Sequence, residues 1–255
     1  RRTDGSDFRI KCTDSRGDRF LLGFKDQTLD YTVLPTDGPT GFHIRVTGDS
    51  AEGQDDYYVQ LADPTGFGQK VWKETVAQDI IEGIDPATMP HQLIRAPDGY
   101  FVFTPASGGI YDYQAHVLLT SKPSHDDWIE IPEWFNREVG DDETNPMPSF
   151  VDYKINDIFF HRNRMGFLAD ENVILSESGN YYNFFAATVL TALDSNPVDV
   201  AVSNNQVSIL RHAIPFSEQL LIFSDLTQFV MKATDVLTPE TVSVDVTTQF
   251  EASLR

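Results

Sequence analysis

The sequence predicts a mainly β protein: antiparallel meander strands arranged as propeller-like blades or a β-sandwich, with few short helices. Three observations carry that expectation. First, apolar positions alternate in Phe42-His43-Ile44-Arg45-Val46 and Tyr57-Tyr58-Val59-Gln60-Leu61, which is the two-residue period of a half-buried strand. Second, turn signals separate such runs: Thr36-Asp37-Gly38-Pro39, Asp63-Pro64-Thr65-Gly66 and Pro97-Asp98-Gly99, where Gly, Pro and Asp pre-set tight-turn geometry. Third, aromatic residues make up 12% of the chain, with 18 Phe, a composition that suits strands and packed surfaces.

In chain order, strand-like runs occupy 8–12, 19–24, 41–47, 56–62, 71–76, 91–95 and 100–104. After a break they resume at 157–162, 165–168, 172–176, 181–185, 198–203, 207–212, 219–223, 227–232 and 242–250. Runs of four to seven residues with turns between them suggest a sandwich, a barrel or propeller blades. Ser178-Gly179-Asn180 is placed to close a hairpin. Two stretches read as short helices. In 74–83, Val76, Ala77, Ile80 and Ile81 share a face and Gly83 is a stop; 186–194 is apolar and ends before Asn196-Pro197. No clean repeat accompanies the strand rhythm.

Residues 123–148 read as the clearest boundary. The segment holds eight acids against Arg137 alone, and its prolines argue against a central strand. The expected organisation is an antiparallel β domain over 1–122, an acidic, Pro-rich linker or exposed loop over 123–148 pinned by Trp128 and Trp134, and a second, propeller-like β domain over 149–255.

The 255 residues carry 19 basic and 39 acidic side chains, a net charge of −20. Residues 1–127 hold 12 and 20 of them, and residues 128–255 hold 7 and 19. Such a surface repels nucleic acid and anionic membranes. The single cysteine, Cys12, rules out an intrachain disulfide and a thiolate metal cluster. No apolar run approaches the ~18 residues of a membrane span. The opening Arg1-Arg2-Thr3-Asp4 is neither an initiator Met nor a signal peptide and reads as the middle of a longer polypeptide.

A search for chemistry finds no cofactor motif. Gly66-Phe67-Gly68-Gln69-Lys70 lacks the third glycine and the strand–helix context of a dinucleotide loop. Six histidines, at 43, 91, 116, 125, 161 and 212, form no zinc-site spacing. Arg16-Gly17-Asp18 matches a cell-adhesion tripeptide but is too short to inform. With 39 acids, some carboxylate pair meets the 5–9 Å separation of glycoside hydrolases by chance, so no residue can be singled out. Gly140-Asp141-Asp142-Glu143-Thr144-Asn145 clusters three carboxylates without the spacing of an EF-hand. His161-Arg162-Asn163-Arg164 is the only tight basic cluster of the acidic second half and sits at a hairpin turn. Arginine pairs carboxylates bidentately. Asp141, Asp142 and Glu143 on one loop, and Arg162 and Arg164 on the other, are therefore candidates for a subunit interface; the alternative is that both loops are tied to the chain's own groups.

Several phrases resemble one family. Val71-Trp72-Lys73-Glu74, Asp85-Pro86-Ala87-Thr88-Met89-Pro90-His91, Gly140–Phe150 (GDDETNPMPSF), Phe159–Leu168 (FFHRNRMGFL), Glu171–Ser176, Tyr181–Phe185, Ala213-Ile214-Pro215-Phe216 and Gln228-Phe229 are similar, in that order, to the tail tubular protein B, or nozzle, of short-tailed bacteriophages. The resemblance runs from about residue 57 to 232. It implies a virion structural protein of the phage tail, made in the host cytoplasm, β-rich with a propeller-like domain and non-enzymatic. It also implies a hexameric ring below the portal and tail adaptor protein, with tail fibres as neighbours, through which DNA passes without specific binding. It implies no cofactor and no catalytic residues. The competing expectation is a tail-associated glycan hydrolase acting on host envelope polysaccharide.

Overall fold

The computed structural model describes residues 27–36, 38–48, 55–203, 207–233 and 236–249. The runs expected at 8–12 and 19–24, Cys12 and Arg16-Gly17-Asp18 lie outside them. Among the described residues the regular elements are all strands, apart from one 3-10 turn at Tyr31–Val33, which Asp30 caps by accepting from the Thr32 N–H.

Three sheets are four-stranded and follow chain order. The first holds β1 (Gln27–Thr28), β2 (His43–Val46), β3 (Tyr57–Ala62) and β4 (Val71–Thr75); β1 runs parallel to β2 and the rest are antiparallel. Between it and the other two lie a hairpin, β5 (Gln92–Arg95) with β6 (Phe101–Thr104), and a small sheet in which β7 (Ile110–Asp112) is flanked by β8 (Val117–Leu119) and β9 (Trp128–Glu130). Then come β10 (Ile155–His161), β11 (Arg164–Ala169), β12 (Asn172–Leu175) and β13 (Val198–Ala201), followed by β14 (Leu210–Phe216), β15 (Gln219–Ser224), β16 (Thr227–Ala233) and β17 (Val242–Gln249). Both of these last sheets are up-and-down antiparallel meanders.

The last two sheets pack face to face. Phe159, Leu168, Val173, Leu175 and Val198 of one meet Leu210, Ala213, Leu220, Ile222, Phe229 and Met231 of the other. Their first strands lie side by side in the same direction: Asn156 Nδ2 donates to the Leu210 carbonyl at 2.9 Å, the Ala213 N–H to Asp157 Oδ2 at 2.8 Å, and Arg162 reaches Glu218 at 3.7 Å. The opposite face of β11 and β12 (Met165, Phe167, Ala169, Ile174) forms a second core with Ile84, Met89, Ala106, Trp134, Phe150, Phe184 and Phe185. Strand β11 is thus buried on both faces, which is why its sequence is apolar without alternation.

Four local expectations meet corrections. The helix expected over 74–83 is absent because Glu74 and Thr75 end β4, Val76 bridges Gly140, and Asp79 takes φ +61°. The helix expected over 186–194 is absent: the Ala186 carbonyl accepts from Asn145 Nδ2 and the Leu190 N–H donates to Thr188 Oγ1, both at 3.2 Å, so its first i→i−4 bond is not made. Asn145 Oδ1 accepts from the Ala186 N–H at 3.0 Å and Glu74 Oε1 from the Val189 N–H at 2.8 Å. The strand expected at 181–185 is a turn. Asn183 Oδ1 takes the Phe185 N–H and its Nδ2 donates to Glu177 Oε2, both at 2.9 Å, so a side chain replaces the ladder partner. Ser178-Gly179-Asn180 therefore closes only an isolated Glu177–Asn180 bridge.

The segment 123–148 differs from a linker or exposed loop in what it buries. It contributes β9 and the buried Ile131, Trp134, Arg137, Val139 and Asn145. Six of its eight acids are exposed, with Asp127 and Asp141 half-buried, while these side chains enter the interior, so charge content alone misrepresents it. The core built around Phe167 draws from both sides of this segment.

Candidate subunit interface

The acidic loop is built around Arg137, whose side chain is fully buried. Its Nη1 donates to the carbonyls of Asp141 (3.0 Å) and Asn145 (2.8 Å), and its Nη2 to the Ile81 carbonyl (2.5 Å) and Asp142 Oδ1 (2.8 Å). An arginine suits this place because its planar fork presents several donors at fixed angles and stays charged. Gly140 adopts φ +77°, and a Cβ there would stand 2.7 Å from Thr144 Oγ1 and 2.8 Å from Val189 Cγ1. Its N–H donates to the Thr75 carbonyl at 3.2 Å and its carbonyl accepts from the Ala77 N–H at 2.8 Å. The loop is thereby sewn to the end of β4.

The three carboxylates have different tasks. Asp141 Oδ1 accepts from the Glu143 and Thr144 N–H groups and the Thr144 hydroxyl, each at 3.0 Å. Burial opposes its charge, but the Thr144 and Glu143 N–H groups, the Thr144 hydroxyl and the Tyr58 hydroxyl outweigh burial and hold the carboxyl below its ordinary value. Asp142 pairs with Arg137 while its side chain stays 71% exposed. Glu143 is exposed, and its side chain is the one of the three not committed to the loop's own hydrogen bonds.

The sign of Asp141's contribution follows from its depressed folded value. Its stabilisation is present above the unfolded carboxylate range and is lost as pH falls through the folded value. We expect Asp141→Asn to lower the melting temperature at neutral pH, and the gap from wild type to close as pH falls below about 4. Melting curves of both proteins across that range check it; a gap that stays constant would remove Asp141 from this role.

The basic cluster divides in two. Arg162 and Asn163 take φ +46° and +61° between the paired His161 and Arg164, a two-residue primed turn whose twist matches the flanking strands. Arg162 lies on the surface of this turn beside Glu218. Arg164 is only 2% exposed. Its Nη1 donates to the carbonyls of Ser176, Ser195 and Asn196 at 2.7, 3.1 and 2.8 Å, and its Nη2 to those of Asp194 and Leu237 at 2.8 and 3.1 Å. Burial pushes its pKa down, with Glu177 opposing. Enclosed by its own chain, Arg164 does not stand on the surface where an inter-subunit anchor would be. It ties β11 to the 194–196 loop and to the β16–β17 connection. The acidic loop and the Arg162 turn are not joined to each other: Asp142 pairs with Arg137, and Arg162 with Glu218.

Sequence reasoning missed Arg137 as the organiser of the loop and the inward turn of Arg164. A weak signal existed for the first, since Arg137 is the one base in a run of eight acids. For the second the signal is the flanking pattern: Arg164 is followed by Met165-Gly166-Phe167-Leu168-Ala169, a run with no polar residue and no alternation, as a strand buried on both faces requires.

Comparison with known proteins adds to this geometry. The chain is similar to the tail tubular protein gp12 of Escherichia phage T7, with 39% identity over 242 residues, covering 95% of this chain and 27% of that protein. It therefore spans about a quarter of the length of this curated relative. The family model for the bacteriophage nozzle protein fits residues 1–255, extending on both sides of the 57–232 span of the resembling phrases, and the chain belongs to that family.

Proposed function

We propose that this chain forms part of the wall of a phage tail nozzle, a virion conduit through which DNA leaves for the host. The family match over the whole chain carries the reading. Physical chemistry supports it. A conduit wall should not hold phosphates, and a net charge of −20 disfavours the counterion release that binds proteins to DNA. Rigidity is supplied by sheets packed face to face on shared cores.

We read the two C-terminal meanders as propeller-like blades. Each is four-stranded and ordered along the chain, their faces pack, and their first strands run alongside. Ile214 (52% exposed) and Phe216 (65%) on β14 leave an apolar face that a further sheet of the same kind would cover. Subunits would meet in a hexameric ring through heterologous contacts closed by rotation, next to a tail adaptor protein and tail fibres.

Within that ring, Glu143 and Arg162 are proposed to face neighbouring subunits, with Asp142 at the loop's edge. Reversing Asp141 and Asp142 would disturb the loop itself, so the informative change is Glu143→Lys. We expect it to weaken assembly of the full protein by about tenfold while leaving the melting temperature of the subunit unchanged. Electron microscopy and sedimentation of wild type and variant decide this. A wild-type protein that never forms a ring would overturn the proposed function; a normal ring from Glu143→Lys would remove only the role given to the loop.

A further inference from the structure

The hairpin β5–β6 has two unlike faces. Ile94 and Val102 pack inward with Ala96, Tyr111 and Ile131. On the outer face, Leu93 stands opposite Phe103 and Arg95 opposite Phe101. Leu93 is 63% exposed, Phe101 61% and Phe103 71%. The His91 ring stacks on Phe103 with centroids 5.3 Å apart, so the patch is held in place from beside as well as from below.

The face combines large apolar side chains with an arginine and carries no carboxylate, in a chain with 39 acids. That is the composition of the desolvated centre of a protein interface, where aromatic residues and Arg are enriched and Asp, Glu and Lys depleted. At these exposures Leu93, Phe101 and Phe103 together present roughly 400 Å² of apolar surface, at ~200 Å² for each full side chain. A standard interface takes about 800 Å² from each partner. The patch thus has the size of the central part of an interface that needs a polar rim.

Arg95 indicates what covers it. Among the described residues, Arg45, Arg137, Arg162 and Arg211 each pair with a carboxylate, and Arg164 is saturated by carbonyls. Arg95 is exposed and has no ion pair or side-chain hydrogen bond there. A second copy of this acidic chain brings the missing counter-charge. Two identical copies of this face would bring Arg95 against an apolar, acid-free surface. A contact with a second copy would therefore be heterologous, the face of one copy lying on a different, acidic surface of the next, which is the geometry that closes rings.

We propose that the outer face of β5–β6 (Leu93, Arg95, Phe101, Phe103) is the docking surface for a neighbouring copy of this chain; the inference rests on the ring-forming reading above. The test places a photo-crosslinking benzoylphenylalanine at position 103 in the full protein, co-assembled from ¹⁴N- and ¹⁵N-labelled subunits, and identifies the joined peptides by mass spectrometry. Mixed-isotope pairs are expected. Pairs of a single isotope only (a contact within one polypeptide), pairs with another virion protein, or no product in assembled rings would each overturn the proposal. In parallel, Arg95→Glu and Phe103→Asp should lower the assembled fraction about tenfold, as loss of an interface hot spot does, with unchanged circular dichroism because both side chains point outward. If wild type forms no ring, the ring reading falls and takes this inference with it. If wild type, Arg95→Glu and Phe103→Asp all assemble equally, this inference alone falls.

Discussion

Replacing Arg164 by methionine is expected to destabilise the fold by about 4 kcal/mol, which lowers the melting temperature by roughly 8–16 °C for a protein of this size. The methionine preserves much of the volume and removes every donor. It leaves the carbonyls of Ser176, Asp194, Asn196 and Leu237 without their guanidinium partner, while that of Ser195 keeps the Ser178 N–H at 3.0 Å. Each buried polar group left unpaired costs ~1–3 kcal/mol, and neighbouring costs do not simply add, since one entering water serves several of them. Arg164→Lys keeps the charge but offers three donors on a single nitrogen, so it should recover about half the loss. The damage should spread unevenly. Arg164 joins the β10–β13 sheet to the connection before β17, and amide hydrogen exchange should therefore accelerate around 194–196 and 237–242 before it does in β11. A melting temperature within about 2 °C of wild type for Arg164→Met would mean that the carbonyls are served by solvent, and that the guanidinium is dispensable.

That residue also marks the limit of what the sequence could tell. Strands with alternating patterns, such as β2 and β3, were legible because the period of two is a local property of the chain. The Arg162-Asn163 turn was legible for the same reason, as a polar pair between two apolar runs. What remained hidden depends on groups far apart in sequence. The helix expected over 186–194 has suitable local propensity, but Asn145, 41 residues away, donates to the Ala186 carbonyl that its first helical bond needs, and Glu74, 115 residues away, fixes the Val189 N–H. Strands β7 to β9 are three residues each, too short for a period to register. In 123–148 the acids that read as solvent-exposed are indeed largely outside, yet Trp134, Arg137 and Val139 between them are buried. The candidate interface was half legible. The acidic loop was found, but that Asp141 and Asp142 serve the loop itself follows only from its folded hydrogen bonds.

Phe167→Ala is the second large effect, and it tests how the molecule coheres. The Phe167 side chain is fully buried. It meets the edge of Phe150 at 5.2 Å and 88°, stacks on Phe184 at 5.2 Å and 15°, and lies 6.1 Å from Trp134. Truncation removes transfer energy and opens a cavity among rings that cannot collapse together, at a cost of about 3–5 kcal/mol, or roughly 6–20 °C in melting temperature. The form of the transition matters as much as its position. This core joins Ile84, Met89 and Ala106 to Trp134 and to both β11 and β12, so the residues before 123 and after 148 share one apolar cluster. We therefore expect a single cooperative transition, with tryptophan fluorescence and far-UV circular dichroism moving down together. Two separated transitions, only one of them shifted by the substitution, would show that the parts on either side of the 123–148 segment fold independently and that the ring of aromatics around Phe167 does not couple them.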